Sequence, residues 1–419
     1  MQQISGQSML APYRVLDLTD EKGFLCGKTL GDLGADVIKI EKLGGDLSRN
    51  IGPFYHDTPD PEKSLFWFAF NANKRGITLN IETADGKDIF KRLVRTADFI
   101  IESFPPGYME SLGLGYQQLR EINRRIIVAS ITPFGQTGPY KDYKGCDIVC
   151  AAVGGQIYNY GDPDRPPVVI GGVPHAYLHA GAEAAIAALI AHYHREITGE
   201  GQYIDVSIQE CMPIILISFG PMAWEADKSI TPRRGAFYFR RDTGSLMRFI
   251  WRCKDGWVAW TMNTGLMGHL TRRLVEWMDE KGMAEEVKNL DWFNIDLSKE
   301  TEEGLNRLEG HFARFFEAHT KAELYQGSVE KGAPVYPVST AGELYKDIQL
   351  ESRRFWVKLQ HPELGTSIDY PGPFVKASKT PCGVWRRAPL IGEHNQEIYG
   401  EEIGLSKEKI MMLKQAGHI

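Results

Sequence analysis

The sequence predicts a doubly wound, Rossmann-like α/β domain joined to a smaller α+β domain. Three observations point to this fold class. The chain has 419 residues, 43% hydrophobic and 24% charged, so it can bury a large core and should divide into more than one domain. Short apolar runs alternate with helical stretches from Arg14 to Thr132, as in a parallel sheet covered by helices. Beyond Asp227 the amino-acid composition changes, which indicates the start of a second domain.

The first domain is predicted from one amphipathic stretch and four apolar runs. The stretch covers Thr83 to Thr96, where Ile89, Leu93 and Val94 recur at helical spacing. The predicted strands are the runs RVLDLT, DVIKIE, ADFII and IIVASI, which begin at Arg14, Asp36, Ala97 and Ile126. Helices between such strands indicate a parallel sheet.

A long helix is predicted over Pro174 to Ile197. Its apolar residues form one stripe, the kind of face that a surface helix normally turns toward a core. The stripe consists of Leu178, Ala182, Ala185, Ile186, Leu189, Ile190 and Tyr193. The run Thr198–Gly199–Glu200–Gly201 ends the helix.

The second domain is expected to span 227–331, and the first to comprise 1–226 and 332–419. In the second domain the segment RFIWRCKDGWVAW predicts a hairpin that turns at Asp255–Gly256. Helical sequence follows it. The strand-like segment PVYPVST, which begins at Pro334, is interpreted as the return to the first domain, and a last helix is predicted from Ser406 to Gln415.

The composition excludes several classes of partner. A net charge of −6 argues against nucleic acid and anionic membranes, because both require a clustered basic face, and favours a small soluble ligand. No apolar run approaches the ~20 residues of a membrane span, and residues 1–12 lack a secretory pattern, so we expect a cytoplasmic protein. Six scattered cysteines predict reduced thiols rather than a disulfide framework.

Common cofactor and metal motifs are missing from the sequence. There is no Walker A motif and no GxGxxG after the first strand. His175 and His179 have a spacing that zinc sites use, but no third ligand is evident, so a plain polar helix face is favoured. Cys146 and Cys150 are interpreted as small buried residues rather than as a metal or redox pair. We therefore expect neither a metal nor a permanently bound cofactor.

Two clusters have both a structural and a binding interpretation. An aromatic patch, interpreted as core rather than as a ligand cover, consists of Phe66, Trp67, Phe68 and Phe70. An arginine cluster could bind a carboxylate or form a solvated loop, and it consists of Arg233, Arg234, Arg240 and Arg241.

Several motifs, in one order along nearly the whole chain, resemble the family III CoA-transferases, the group that includes formyl-CoA transferase, carnitine CoA-transferase and the bile-acid-inducible transferases. Near the C-terminus the resemblance includes RAPLIGEHNQEI. The other motifs are LGDLGADVIKIE from Leu30, GGDLSR from Gly44, NANKRGITLN from Asn71, LGLGYQQL from Leu112, FGQTGPY from Phe134 and TGEGQYIDVS from Thr198.

The resemblance implies an interlocked dimer and a covalent mechanism in which an aspartate takes up CoA as a thioester. In the family that aspartate lies in a D-x-x-x-G pattern that opens the long helix. Here the stretch is GGVPHAYLHAGAEAA, and Gly181 places Tyr177 at the aspartate position. A phenol has a pKa near 10 and no carbonyl carbon that could carry CoA, so we expect Tyr177 to be unable to replace the aspartate.

The resemblance also assigns residues to the binding of a CoA thioester substrate. Where relatives commonly meet the CoA phosphates with lysine or arginine, this chain has Glu82, Pro105 and Ser111, so we expect weakened CoA binding. The positions assigned to CoA binding are Lys42, Asn80, Phe104, Tyr140 and Lys144.

The hypothesis drawn from these residues is a subunit of a CoA-transferase whose related partner supplies the catalytic aspartate, with a succinyl-CoA-like donor and a carboxylic acid acceptor. A heteromeric member of this kind acts in aromatic degradation. A homodimeric transferase that uses Asp147, Asp205 or Glu183 stays open, as do a CoA-ester racemase or isomerase and a CoA-thioester-binding scaffold. The racemase is disfavoured, because its histidine and aspartate positions correspond to Cys146 and Tyr177.

Overall fold

The structure is a computed structural model that describes residues 8–162, 164–217, 220–228, 230, 233, 235–239 and 246–419. The chain forms two compact units. The large unit comprises Met1–Gln156, Gly171–Met222 and Ile348–Ile419, and the small unit comprises Ile157–Ile170 and Ala223–Asp347. The domain bounds expected from the sequence, 1–226 with 332–419 and 227–331, stay a prediction.

The described residues form the following strands and helices. The strands are β1 (Arg14–Leu18), β2 (Asp36–Glu41), β3 (Lys74–Thr78), β4 (Phe99–Glu102), β5 (Ile127–Thr132), β6 (Tyr203–Ser207), β7 (Phe237–Phe239), β8 (Leu246–Arg248), β9 (Ile250–Cys253), β10 (Gly256–Ala259), β11 (Tyr336–Pro337), β12 (Trp356–His361) and β13 (Thr366–Pro371). The helices are α1 (Phe24–Asp32), α2 (Leu65–Asn71), α3 (Ala84–Val94), α4 (Tyr108–Ser111), α5 (Tyr116–Ile122), α6 (Asp147–Val153), α7 (His175–Thr198), α8 (Ile208–Ile215), α9 (Pro221–Asp227), α10 (Gly268–Glu280), α11 (Glu302–Ala318), α12 (Lys321–Lys331), α13 (Ala341–Tyr345), α14 (Ile348–Ser352) and α15 (Lys407–Gln415).

The large unit is built on a parallel sheet. Within the described residues, six strands form this sheet in the order β3-β2-β1-β4-β5-β6. The chain changes direction between β1 and β4, so the loops that leave these two strands diverge and open a crevice at the carboxyl edge of the sheet. The doubly wound fold predicted from the sequence is confirmed, as are the four predicted strands, which are β1, β2, β4 and β5.

Two strands of this sheet, β3 and β6, were not predicted. The sequence of β3 begins with Lys74, Arg75 and Gly76, so this segment has no apolar strand pattern, whereas β6 carries a single aspartate, as the predicted strand β1 does. The charge of Lys74 is nevertheless completely buried, because its ammonium group donates to Asp17 Oδ2 at 2.7 Å. Partners brought by other strands therefore make β3 a core strand.

Polar motifs that stood out in the sequence form buried ion pairs. Arg49 of the GGDLSR motif binds both carboxylate oxygens of Glu41, at 2.7 and 2.8 Å, and its guanidinium lies 3.8 Å from the Trp67 ring. Lys74 of the NANKRG motif also donates to the carbonyl oxygen of Phe24 at 3.1 Å. These contacts give the two motifs a structural role within the large unit.

The long helix predicted over Pro174 to Ile197 is confirmed as α7, but its faces are reversed. The buried face is formed by small residues, and at Gly181 a side chain would lie 2.9 Å from Cβ of Leu25 in α1. The largest side chains of the predicted apolar stripe face away from the core: Ile186, Ile190 and Tyr193 are 52%, 63% and 70% exposed, whereas Ala185 of the stripe is buried. The close approach of α1 selects the alanine and glycine face because larger side chains do not fit there.

The small unit has an aromatic core that includes Trp251, Trp260 and Phe312. The predicted hairpin is confirmed, since β9 and β10 are antiparallel with Cys253 opposite Gly256. In the PVYPVST segment, β11 pairs with β10, so this segment extends the sheet of the small unit and does not return to the large sheet.

The remaining structural predictions have clear outcomes. The helices expected at 83–96 and at Ser406 to Gln415 are confirmed as α3 and α15. The aromatic patch is core, with Trp67 and Phe68 buried. Arg233 donates to the carbonyl oxygens of Asp162 and Arg165, whereas Arg234, Arg240 and Arg241 lie outside the described residues. No helix in the described part of the chain is long and apolar enough to cross a bilayer.

Candidate functional site

The five residues assigned to CoA binding all lie on loops at the carboxyl edge of the large sheet. Lys42 follows β2, Asn80 follows β3 and Phe104 follows β4, while Tyr140 and Lys144 lie in the long connection after β5. The carboxyl ends of parallel strands meet at one edge, where open α/β sheets bind their ligands. The fold therefore puts these separate sequence positions on one side of the molecule.

Two of these five residues present cations to solvent. Lys42 and Lys144 are exposed, and neither forms an ion pair with a carboxylate in the described part of the chain. Tyr140, which is 49% exposed, stacks on Tyr143 with ring centroids 5.1 Å apart. Exposed aromatic faces and ammonium groups are the kinds of side chain that bind a base and its phosphates.

Asn80 shapes the turn before α3. Its backbone N–H donates to the carbonyl oxygen of His418 at 2.8 Å, and its Oδ1 accepts the N–H of Glu82 at 3.1 Å. The side-chain oxygen of Asn80 therefore accepts a hydrogen bond from within the protein. The structure therefore gives Asn80 a role in forming the loop.

An acidic group occupies one of the positions at which the family resemblance led us to expect a cation. Glu82 accepts the hydroxyl proton of Tyr108 at 2.7 Å, and the Tyr108 ring lies 4.7 Å from that of Phe104. Burial, together with the Glu82 carboxylate, raises the pKa of Tyr108 to about 12. Pro105 and Ser111 are exposed beside this group and bring no charge. A CoA phosphate near this loop would meet a carboxylate.

Tyr177 lies in the first turn of α7 and is only 6% exposed. Burial raises the pKa of its hydroxyl far above the ordinary value, and the nearby carboxylates of Glu21 and Asp20 raise it further. At neutral pH the side chain is a neutral phenol. It has no carbonyl carbon on which an acyl or thioester group could form.

Asp147 caps α7. The residue before this helix, Pro174, offers no side-chain acceptor, and Asp147 Oδ1 accepts the N–H of Tyr177 at 3.1 Å, with a second bond from the N–H of Ala176. Burial raises the pKa of Asp147, and these N–H groups oppose the rise. A carboxylate at a helix N-terminus satisfies unpaired N–H groups and the helix dipole.

The other two carboxylates considered as replacements lie in different surroundings. Asp205, on the exposed edge of β6, accepts the N–H of Gln136 at 2.9 Å. Glu183 lies further along α7, where its charge faces Cys211. Of the three candidates, only Asp147 forms a hydrogen bond with Tyr177 among the described residues.

The loop after β1 contributes residues that sequence reasoning missed. Asp20 and Glu21 face Tyr177, and Lys22 forms an ion pair with Asp20. Ser103, at the end of the neighbouring strand β4, donates to Asp20 Oδ1 at 2.8 Å. The signal was the segment DLTDEKG, in which charged residues directly follow a buried strand. This segment belongs to the candidate site because it follows β1, where the strand order reverses, and open α/β sheets bind ligands at that point.

The histidine and cysteine pairs have ordinary surroundings. Among the described residues, no three His, Cys, Asp or Glu side chains group as metal ligands. Cys150 is buried as predicted, with its thiol 3.7 Å from the carbonyl oxygen of Pro133. The prediction was wrong for Cys146, which is exposed just before α6. The two thiols therefore differ in their exposure.

Comparisons with known proteins agree along the chain. The model of CoA-transferase family III matches residues 10–395. The chain is 35% identical over 391 residues to the succinyl-CoA:(R)-benzylsuccinate CoA-transferase subunit BbsE of Thauera aromatica, covering 93% of each chain. It is 32% identical over 415 residues to the succinyl-CoA–L-malate CoA-transferase beta subunit of Chloroflexus aurantiacus, covering 97% of this chain and 96% of that protein. A crystal structure of a CAIB/BAIF family protein from Brucella suis superposes with a TM-score of 0.81 at 27% identity, covering 94% of this chain and 99% of that one.

Proposed function

The chain belongs to CoA-transferase family III, and on that premise we propose that it is the subunit of a heteromeric enzyme that lacks the catalytic aspartate. A related partner subunit would supply that residue. The pair would move CoA from a succinyl-CoA-like donor to a carboxylic acid. The observation that carries this proposal is the buried phenol of Tyr177 at the position that the resemblance aligns with the family aspartate.

The chemistry explains why a tyrosine is insufficient. A catalytic carboxylate attacks the donor thioester, which forms a mixed anhydride and releases the CoA thiolate. The thiolate then attacks the aspartyl carbonyl, which releases the donor acid and leaves an aspartyl-CoA thioester. The acceptor carboxylate next attacks the carbonyl of the aspartyl-CoA thioester, which releases the CoA thiolate and forms a second mixed anhydride. The thiolate then attacks the acceptor's carbonyl in this anhydride, which yields the new acyl-CoA and the free aspartate. Each transfer to the enzyme needs a carbonyl carbon on the nucleophile, which Tyr177 does not have.

The other carboxylates of this chain are poor substitutes. Asp147 accepts a hydrogen bond from the backbone N–H of Tyr177, but in doing so its Oδ1 caps α7. Asp20 and Glu21 also face Tyr177, yet Asp20 is paired with Lys22 and Glu21 accepts the hydroxyl proton of Ser48. A partner that brings a free carboxylate avoids rearranging these contacts.

An exposed apolar face supports an unlike partner. Four residues at helical spacing on α7 lie on one side of the helix and are between 52% and 70% exposed: Ile186, Ile190, Tyr193 and Ile197. Apolar patches of this kind mark interaction surfaces. We assign this face to the related subunit, and by the family resemblance the pair would interlock. The benzylsuccinate and malate relatives are themselves named as subunits.

The donor and the setting are proposed from the same relatives. Both act with succinyl-CoA by name, so a succinyl-CoA-like donor is the first choice for this chain, and the benzylsuccinate relative points to an aromatic-degradation acceptor. Lys42, Lys144 and the Tyr140 face would hold the nucleotide, with Phe104 and the Asn80 turn shaping the loops. The six free thiols suit the cytoplasm, where cysteines stay reduced.

Borohydride trapping of the native complex tests the proposal. Borohydride reduces an aspartyl-CoA thioester to an alcohol, so incubation with succinyl-CoA and borohydride should mark the partner subunit and leave this chain unmarked. A mark on Asp147, Asp205 or Glu183 would instead make this chain catalytic by itself. Omitting succinyl-CoA gives the control, because no thioester then forms.

Substitution of Tyr177 supplies matched variants. Tyr177→Asp restores a carboxylate, but not the missing phosphate-binding cations, and we expect at most slow CoA exchange from it. Tyr177→Phe should leave the activity of the complex unchanged, since only the hydroxyl is lost. Full transferase turnover by the wild-type chain alone, as a stable homodimer, would refute the heteromer.

A further inference from the structure

A buried carboxylate lies at the switch point of the sheet without a role in the chemistry above. Glu102 is the last residue of β4 and is 4% exposed. A small cavity adjoins it and is lined by Met109, Glu110, Ser130 and Tyr203. Carboxylates are almost never buried unless they are paired or hydrogen-bonded, so its partners indicate its purpose.

Those partners form a short chain of hydrogen bonds. Glu102 Oε2 accepts the backbone N–H of Phe104 at 2.7 Å, and Ser130 donates to the same carboxylate. The hydroxyl of Tyr203 in turn donates to Ser130 Oγ at 2.9 Å. The carboxylate therefore joins β4, β5 and β6 to the first residues of the loop that follows β4.

That loop reaches the candidate site in two directions. Phe104 is one of the residues assigned to CoA binding, and its ring packs on Tyr108. Ser103 accepts the N–H of Asp20 at 2.9 Å and donates to its carboxylate, and Asp20 faces Tyr177. A change in how Glu102 holds this loop would be transmitted to both.

We propose that Glu102 is a positioning residue, whose carboxylate anchors the Phe104 N–H and whose protonation loosens the loop after β4. The anchor itself depends only on this chain, whereas its effect on CoA rests on the proposed function. An ionised carboxylate accepts a hydrogen bond more strongly than a neutral carboxyl group does. The loop would be held tightly when Glu102 is charged and weakly when it is protonated.

The surroundings put this change in the physiological range. Burial raises the pKa of Glu102 to about 7, against the stabilising bonds from Ser130 and Phe104. The charged groups that face it are the carboxylates of Glu110 and Asp20, which both favour the protonated form. The anchor should therefore be strong above pH 7 and weaken as the pH falls below 7.

Hydrogen exchange resolved to single amides tests the anchor in the full chain. The protection factor of the Phe104 amide, which corrects for intrinsic exchange, should fall roughly tenfold between pH 8.5 and pH 5.5, because a charged acceptor is replaced by a neutral one. In Glu102→Gln the protection should be low and nearly independent of pH. Glu110→Gln is the matched control, since it removes a neighbouring exposed carboxylate but not the acceptor; the fall in protection should persist, with its midpoint moved to lower pH. A flat profile in the wild type would overturn the proposal.

A second variant keeps the test decisive if Glu102→Gln does not fold. Ser130→Ala removes a donor to the carboxylate but leaves the Phe104 bond, so the midpoint of the protection change should move to higher pH. An unmoved midpoint would refute the assignment of the titration to Glu102. CoA affinity, measured by calorimetry over the same pH range, separates the two proposals. If protection of the Phe104 amide falls while the CoA affinity stays constant, the effect on CoA is refuted and the anchor by Glu102 is retained.

Discussion

Replacing Asp17 with asparagine would remove one charge from a fully buried cluster beneath the site. The carboxylate accepts Lys74 Nζ at 2.7 Å and the hydroxyl of Thr19 at 2.6 Å, and Lys39 Nζ lies 4.0 Å away. All three charged side chains are at most 1% exposed. Asparagine has the same shape, so packing is retained while Lys74 loses its counter-charge; Lys39 keeps the Asp46 carboxylate, 3.7 Å away.

The magnitude follows from the cost of stranding buried charges. Removing one partner of a buried ion pair typically destabilises a protein by about 3 to 5 kcal/mol, a large part of an ordinary total stability of about 5 to 15 kcal/mol. Lys74 keeps the carbonyl oxygen of Phe24 and the Asn71 side chain as acceptors, which limits the loss. We therefore expect Asp17→Asn to lower the free energy of unfolding of the large unit by about 3 kcal/mol.

Urea unfolding at pH 7, followed by circular dichroism, measures this loss. Asp88→Asn is the matched control, because its carboxylate is exposed and pairs with Arg92 on the surface, so a change within about 0.5 kcal/mol is expected. Lys74→Met in the Asp17→Asn background should recover part of the loss, since it removes one stranded ammonium. A loss below about 1 kcal/mol for Asp17→Asn would refute the buried-charge argument.

The same variant has a defined pH dependence. Burial by itself raises the pKa of Asp17, but Lys74 and Lys39 outweigh it and hold that pKa below its usual 3.8. A carboxyl group with a lowered folded-state pKa contributes stability above the unfolded value, and this contribution is lost as the pH falls through the folded value. The difference between wild type and variant should be constant from about pH 5 to 8 and should narrow below about pH 4.

Two further predictions concern the partner and CoA. Ile190→Asp, at a position 63% exposed, should abolish co-purification with the partner subunit while the melting temperature of the isolated chain stays unchanged, and Ile190→Leu should retain the partner. Retained co-purification of Ile190→Asp would show that this face of α7 is not the interface. Glu82→Lys should tighten CoA binding roughly tenfold in calorimetry, because it replaces a carboxylate with a cation near the phosphates, with Glu82→Gln in between. Equal affinities for the three proteins would mean that no phosphate lies near residue 82.

Local patterns predicted much of the sheet but not all of it. Strands β1, β2, β4 and β5 are rich in valine, isoleucine and leucine, and this composition can be recognised without knowing their neighbours. Strand β3 was missed because the partner that neutralises Lys74 is Asp17, which lies 57 residues away in the chain. From sequence alone, a charged residue is predicted to lie on the surface unless the residue that neutralises it in the fold is known.

The faces of α7 illustrate the same limit. Helical periodicity correctly predicted the helix and its apolar stripe, but periodicity does not say what packs against each side. The close approach of α1 at Gly181 buries the small residues and leaves the isoleucines outside. Which face is core therefore depended on a contact between helices far apart in sequence.

The sequence by itself determined four of the six strands of the large sheet, the family resemblance and the presence of a phenol at residue 177, because these depend on local periodicity and on the covalent chemistry of each side chain. Only the tertiary structure decided that Asp147 caps α7, that Asp20 and Glu21 face Tyr177, and that Glu102 anchors the loop after β4. These roles arise from the order of the strands, which brings distant segments to one edge of the sheet. They also arise from burial, which strengthens the hydrogen bonds and electrostatic interactions of the charged groups at that edge.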